Sequence, residues 1–229
     1  MLLINEIFSS IDGEGIRTGY PVTFIRTQLC NLRCKYCDTA YSWDLKDKQG
    51  NKQYQEMTVE QVLEECKKLK NRRITFTGGE PLIQPEATEL VQALLNNNYE
   101  VNIETNGAVD IEKFFNTLDF GMETTNNLIF TLDYKTESSG EEEKMILENI
   151  KFLKSKDVLK FVVGSKSELD KMREIVQTFK PKSEIFISPV FGKIEPHELV
   201  EYILDKDLQN VRVQIQLHKI IWDPNRRGV

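Results

Sequence analysis

Apolar residues follow two spacings along this chain. At positions 59, 62, 63, 66 and 69 they fall three and four apart, which puts them on one face of a helix. Elsewhere they form short runs such as VTFIR, bounded by polar turn residues, as buried strands are. The pattern predicts strands over 22–26, 73–76, 101–103, 128–132, 159–163, 185–187 and 211–215. It predicts helices over 59–69, 87–95, 111–118, 145–153, 169–179 and 199–204. Two polar stretches read as loops, 44–55 around Gly50 and 136–143, the second running into a helix with acidic residues in its first turn. The succession shows no repeat and no low-complexity tract, so residues 1–229 are expected to form one domain.

Regular strand–helix alternation implies an α/β fold with parallel strands and right-handed crossovers. A partial barrel and a doubly wound sheet both satisfy it, and both place their sites at the carboxyl ends of strands. Polar clusters fall at five such ends: Thr77-Gly78-Gly79, Glu104 to Gly107, Asp133 with Lys135, Ser188-Pro189, and Gln216 with His218. They are expected to converge on one rim.

The net charge of −6, from 30 basic and 36 acidic residues, argues against a nucleic-acid footprint, which needs a basic face. No stretch approaches the about 18 apolar residues of a membrane span. The opening MLLINEIFSS has no basic n-region, so no signal peptide is expected and the cytoplasm is the expected location. Three of the four cysteines lie within eight positions, in CNLRCKYCD. That clustering suits metal ligation in a reducing compartment better than a disulfide framework. Three thiolates on one loop can ligate three corners of an iron–sulfur cube, leaving the fourth iron open. A structural zinc site competes, but it favours paired C-x2-C units; here Cys34 and Cys37 have no second pair. Cys66 falls on the apolar stripe of its helix and reads as a small buried hydrophobe.

C-x3-C-x2-C after a strand resembles the signature of the radical S-adenosylmethionine enzymes, with Tyr36 as the aromatic residue before the third cysteine. Thr77-Gly78-Gly79-Glu80-Pro81 resembles that family's GGEP motif. Further segments resemble the 7-carboxy-7-deazaguanine synthase family within it. They are Ile11-Asp12-Gly13-Glu14-Gly15 (LQGEG), Phe24-Ile25-Arg26, Cys37-Asp38-Thr39, Glu104 to Gly107 (ETNG), Asp133-Tyr134-Lys135 with Ser138-Ser139-Gly140, and Gln216 to Lys219 with Trp222. The chain departs from the family pattern at Asp12, where glutamine is usual, and at Glu137, where proline is common.

The resemblance implies an open (β/α)6-type partial barrel. It also implies a 4Fe-4S cluster on Cys30, Cys34 and Cys37 that cleaves S-adenosylmethionine to a 5′-deoxyadenosyl radical. That radical would act on 6-carboxy-5,6,7,8-tetrahydropterin, and ring contraction with loss of ammonia would give 7-carboxy-7-deazaguanine. Tyr36, Cys37, Asp38, Gly79, Asp133, Tyr134, Lys135, Ser188, Pro189, Val190 and Phe191 would contact the cofactor, and Thr39 would ligate Mg²⁺. Ile11, Asp12, Gly13, Glu14, Arg26, Thr77, His218 and Pro224 would contact substrate, with Arg26 offering a fork to its carboxylate. A homodimer and a flavodoxin- or ferredoxin-type electron donor are expected as partners. Two rivals share part of the signature. A glycyl-radical activating enzyme would lack the two terminal motifs, and a plain iron–sulfur carrier would want a fourth cysteine.

Overall fold

The computed structural model describes residues 1–119, 124–223 and 226–229. In chain order its elements are β1 (Leu2–Ile11), β2 (Pro21–Thr27), β3 (Gln55–Met57), α1 (Val59–Leu69), β4 (Arg73–Gly78), α2 (Ala87–Asn96), β5 (Glu100–Thr105), α3 (Ile111–Phe115), β6 (Leu128–Lys135), α4 (Glu148–Phe152), β7 (Val158–Val163), α5 (Lys166–Phe179), β8 (Glu184–Pro189), α6 (Pro196–Asp205), β9 (Val211–Val213) and α7 (His218–Ile221). The strands make one sheet in the order β3-β1-β2-β4-β5-β6-β7-β8-β9, open between β3 and β9. From β2 onward every neighbouring pair is parallel. The α/β fold with mostly parallel strands expected from the alternation is therefore present, and its open sheet fits the partial barrel that the resemblance implies.

The strands obey a two-residue alternation that separates two environments. Ile25, Phe76, Ile103, Phe130, Phe161 and Ile187 point to the helix-covered side and are at most 1% exposed. Burying each such side chain contributes about 1.5–3 kcal/mol. The intervening positions are polar: Arg26 pairs with Thr77, Thr75 with Asn102, Glu104 with Thr131, and Asp133 with Lys160. These residues line the concave face. Local signals fix the helices that flank them. Thr58 and Gln61 form a reciprocal capping box at the start of α1, and the Ser165 hydroxyl caps α5 by accepting from the Glu168 amide.

Four expectations need correction. The sheet is not wholly parallel, because it holds two strands the pattern did not predict, β1 and β3, and both run antiparallel, β1 against β2 and β3 against β1. The helix expected over 145–153 is only α4, because a 3-10 turn occupies Glu142–Lys144 and Met145 lies extended after it, its sulfur accepting from the Lys135 amide at 3.3 Å. The helix expected over 111–118 ends at Phe115. The last strand ends at Val213, where Gln214 turns to bond both the amide and the carbonyl of Gly15.

Candidate active site

The cysteine loop leaves β2 and is fastened along its length. On one side Leu29 donates to the Ser42 carbonyl at 2.8 Å, and Cys30 to that of Trp43 at 3.3 Å. On the other, Lys35 donates to the Ser139 carbonyl at 2.9 Å, and Arg33 to a Glu141 carboxylate oxygen at 2.7 Å. The Ser138-Ser139-Gly140 segment thus docks the loop. Glu168 in turn holds that segment, accepting from the amides of Ser138 and Gly164.

The glycines after β4 serve the same loop. A Cβ on Gly79 would lie 2.0 Å from the Leu29 carbonyl oxygen and 2.9 Å from the Cys30 amide nitrogen. What needs glycine there is the passing backbone of the cysteine loop itself. Glu80 pulls the neighbouring strand end into register. It is fully buried and accepts from the Leu82 amide, the Thr105 hydroxyl and the Asn106 amide at 2.8–3.1 Å.

Burial outweighs those three donors and pushes the Glu80 carboxyl up to about 7. A carboxyl whose folded value is raised contributes stability that is full below its ordinary value of 4.5 and is lost as pH rises through 7. The advantage of the wild type over Glu80→Gln is therefore expected to be larger at pH 5 than at pH 8, read as the difference in thermal midpoint of the iron-free proteins. A constant difference would contradict it.

A cavity of about 340 Å³ opens beside the loop, within the range of small-ligand sites. It brings together Cys30, Cys34, Tyr36, Cys37, Asp38, Thr39 and Gly79 with Arg26, Glu14, Thr77, Asp133, Lys135, Val190 and Phe191. Other expected residues lie off its wall. Tyr134 faces the core, donating to Glu142 at 3.4 Å. Ser188 reaches the site only through Glu14, to which it donates at 3.3 Å. Ile11, Asp12, Gly13, Pro189 and His218 do not line the cavity. Asp12 is 2% exposed, with both carboxylate oxygens taken by Arg17 and Thr75. His218, expected just past the last strand, sits at the start of α7, packed on Gly13. Pro224 lies outside the described residues.

The cavity also contains residues to which the sequence reading gave no role: Glu104, Thr131, Lys160 and Lys219. Lys160 Nζ lies 2.8 Å from Glu14 Oε2. Burial alone would push this amine down, but Glu14, Asp133 and Glu104 outweigh it and hold the ammonium charged. Glu104 accepts from Thr77 at 3.0 Å and is pushed up, burial being the main cause. Lys135 pairs with Asp133 at 2.7 Å and Lys219 with Asp38 at 3.2 Å.

The residues suit the cofactors of the resemblance. Among the described residues no three His, Cys, Asp or Glu side chains converge closely enough to ligate one ion. A cubane instead takes one thiolate at each of three irons, so it asks for sulfurs spread around a cube. Burial pushes the Cys34 thiol up to about 11 and raises Cys30 as well, so thiolates here require a cation to stabilise them. In the same cavity, Tyr36 Oη and Asp133 Oδ1 are buried with no hydrogen-bond partner among the described residues. Two such groups beside the thiols are open positions for a polar ligand such as S-adenosylmethionine.

Comparison with known proteins agrees with this geometry. Residues 24–179 match the family model of the Radical SAM superfamily. The chain is 43% identical over 227 residues to a 7-carboxy-7-deazaguanine synthase of Clostridium acetobutylicum, covering 98% of this chain and 97% of that one. It is 38% identical over 222 residues to a 7-carboxy-7-deazaguanine synthase of Methanospirillum hungatei JF-1, covering 96% and 86%. Among solved structures it resembles QueE from Escherichia coli, with a TM-score of 0.73 and 22% identity, over 95% of this chain and 94% of that one. It also resembles SuiB from Streptococcus suis bound to S-adenosylmethionine, with a TM-score of 0.56 and 14% identity over 82% and 45%. Both structural likenesses bear on the fold alone. The open parallel barrel, the fastened three-cysteine loop and near-full-length identity to named synthases together place this chain in the radical SAM superfamily and, within it, in the 7-carboxy-7-deazaguanine synthase family.

Proposed function

We propose that this protein converts 6-carboxy-5,6,7,8-tetrahydropterin to 7-carboxy-7-deazaguanine with loss of ammonia, a step of 7-deazapurine biosynthesis. The observation that carries the reading is one cavity joining three loop thiols to the buried Glu14–Lys160 pair, in a chain 43% identical to a synthase of that name. When bound, the 4Fe-4S cluster and S-adenosylmethionine supply one-electron chemistry that removes a hydrogen atom from the substrate.

The chain's own residues hold the reactants. Cys30, Cys34 and Cys37 ligate the cluster. Tyr36, Cys37, Asp38, Gly79, Asp133, Lys135, Val190 and Phe191 face the cofactor. Tyr134, Ser188 and Pro189 support that wall from behind. Arg26 meets the substrate carboxylate. Its Nε is held by Glu6 at 2.8 Å, and among the described residues no protein acceptor takes its remaining N–H groups. Such a fixed fork suits bidentate recognition. Glu14 receives the guanidine-like edge of the pterin beside Lys160, and Thr77 borders it. Lys160, held as an ammonium by its carboxylate neighbours, and Glu104 border the same end of the substrate. Thr39, with its hydroxyl 3.5 Å from Cys37 Sγ, is the Mg²⁺ ligand. Among the described residues no helix is long and apolar enough to cross a membrane. We place the enzyme in the cytoplasm as a homodimer fed by a flavodoxin- or ferredoxin-type donor.

The test is anaerobic turnover of reconstituted, reduced protein with S-adenosylmethionine, the pterin and Mg²⁺, followed by mass spectrometry. 7-Carboxy-7-deazaguanine is the expected product. Cleavage of S-adenosylmethionine without that product would overturn the substrate while keeping the radical chemistry.

Asn106 should tune the cluster. Its side-chain amide lies 3.6 Å from Cys30 Sγ, and the Leu32 amide donates to the same sulfur at 3.4 Å. N–H groups on a ligand sulfur stabilise the reduced cluster. Asn106→Ala is expected to lower the midpoint potential in an EPR-monitored redox titration, and an unchanged potential would exclude the role.

A further inference from the structure

The turn between β1 and β2, residues 12–20, is closed on itself, with Asp12 donating to the Tyr20 carbonyl at 3.0 Å and Gly19 to that of Asp12 at 2.8 Å. Inside it lies an ion pair of two side chains that are 3% and 6% exposed: Arg17 Nε is 2.8 Å from Asp12 Oδ2. This pair grips the sheet. Thr75 donates to Asp12 Oδ1 at 2.7 Å. Arg17 Nη2 donates to the Ile74 carbonyl at 3.0 Å and to Thr75 Oγ1 at 2.6 Å, and Nη1 reaches Glu100 at 3.3 Å.

The opposite edge of the same turn carries the pocket. Glu14, two residues from Asp12, receives Lys160 at 2.8 Å, Gln216 at 3.3 Å and Ser188 at 3.3 Å. The Gly13 carbonyl accepts from the Leu217 amide at 3.1 Å, and a Cβ on Gly13 would stand 2.2 Å from His218 Nδ1. Gly15 donates to Gln214 at 2.6 Å. The turn is therefore a wedge, pinned to β4 and β5 by Asp12–Arg17 and presenting Glu14 and the 214–218 segment to the cavity.

We infer that the Asp12–Arg17 pair is a positioning device that sets affinity for the pterin through the turn it fixes, without touching substrate. This deepens the proposed reaction and rests on it. Both Asp12 carboxylate oxygens are engaged, one by Arg17 and one by Thr75, and the turn carries the pair to the cavity through Gly13 and Glu14. With the pair neutralised on one side, Arg17 or Asp12 is left buried and uncompensated, and the wedge shifts to solvate it. The shift misplaces Glu14 against the substrate while the cysteine loop, held by other contacts, keeps its place.

The experiment compares Asp12→Asn, Arg17→Met and the double variant Asp12→Asn/Arg17→Met with the wild type in pterin turnover, with S-adenosylmethionine binding measured separately. In both single variants the KM for the pterin is expected to rise about tenfold or more while kcat at saturation stays within about twofold, the pattern of lost substrate positioning. S-adenosylmethionine affinity should not move. The double variant, which buries no unpaired charge, should recover part of the KM, and it serves as the readout if Arg17→Met does not fold. A KM rise in Asp12→Asn with none in Arg17→Met would assign Asp12 to direct contact and overturn the inference. A parallel fall of kcat, cofactor affinity and thermal midpoint would reduce the pair to a structural role. Wild-type protein that makes no product would instead refute the proposed reaction and leave the pair without this role.

Discussion

Alanine at any one of Cys30, Cys34 or Cys37 is expected to abolish turnover and to leave the protein unable to retain iron and sulfide after anaerobic reconstitution. Cys66→Ala should keep both. The three loop cysteines face one cavity, and the backbone fastenings of the loop do not involve their sulfurs, apart from the amide of Leu32 on Cys30. Removing a thiol therefore deletes a ligand without unfolding the loop. Cys66 differs in every respect that matters. It is fully buried on α1 among core side chains, and burial pushes its thiol up to about 12, which keeps it protonated and inert. Its loss removes one buried group and should cost about 1 kcal/mol of stability. Iron analysis of the four variants checks the contrast; equal loss in all four would contradict it.

Lys160→Met should be the most damaging change away from the thiols. The ammonium sits in a strand whose other residues are apolar, facing Glu14, Asp133 and Glu104. A methionine fills the same space and leaves Glu14 buried without its cation. Breaking a buried pair from one side costs about 3–5 kcal/mol, which for a chain of this length lowers the thermal midpoint by roughly 10 °C. Turnover should fall further than stability accounts for, on the order of a hundredfold or more, because the substrate loses both the placement of Glu14 and the cation beside it. Calorimetry of the iron-free variant and turnover assays below its midpoint separate the two effects. Wild-type turnover in a folded Lys160→Met protein would remove Lys160 from the site.

Much of the architecture was legible because it depends on periodicity. The stripe at 59, 62, 63, 66 and 69 predicted α1 to the residue, and the apolar runs at 159–163 and 185–187 landed inside β7 and β8. β1 escaped because NEIFSS places polar residues where a buried strand would be apolar. As the second strand from an open edge, it keeps only Leu2 and Ile4 well buried. The same bias towards apolar runs hid part of the cavity. Thr77, Glu104, Asp133 and Lys135 were legible at strand ends, but Thr131, two before Asp133 on the same face, lies inside an apolar run and was not read as lining. Lys160 belonged to it as the one charge in VLKFVV. Asp12 was expected to contact substrate from its motif position; the structure adds its bond to Arg17, across a turn whose closure no local pattern reveals. At Gly79 the structure adds a constraint that the motif alone did not show, the backbone of the cysteine loop passing where a Cβ would stand.

The central claim is that a radical formed beside the cysteine loop takes hydrogen directly from the pterin. The most direct measurement uses pterin deuterated on its reduced ring carbons, turned over anaerobically, with the adenosyl group then recovered as S-adenosylmethionine or 5′-deoxyadenosine and weighed by mass spectrometry. The account predicts deuterium at the 5′ position of that group, alongside 7-carboxy-7-deazaguanine. Product without deuterium in the adenosyl group, or adenosyl cleavage that ignores the pterin, would contradict it.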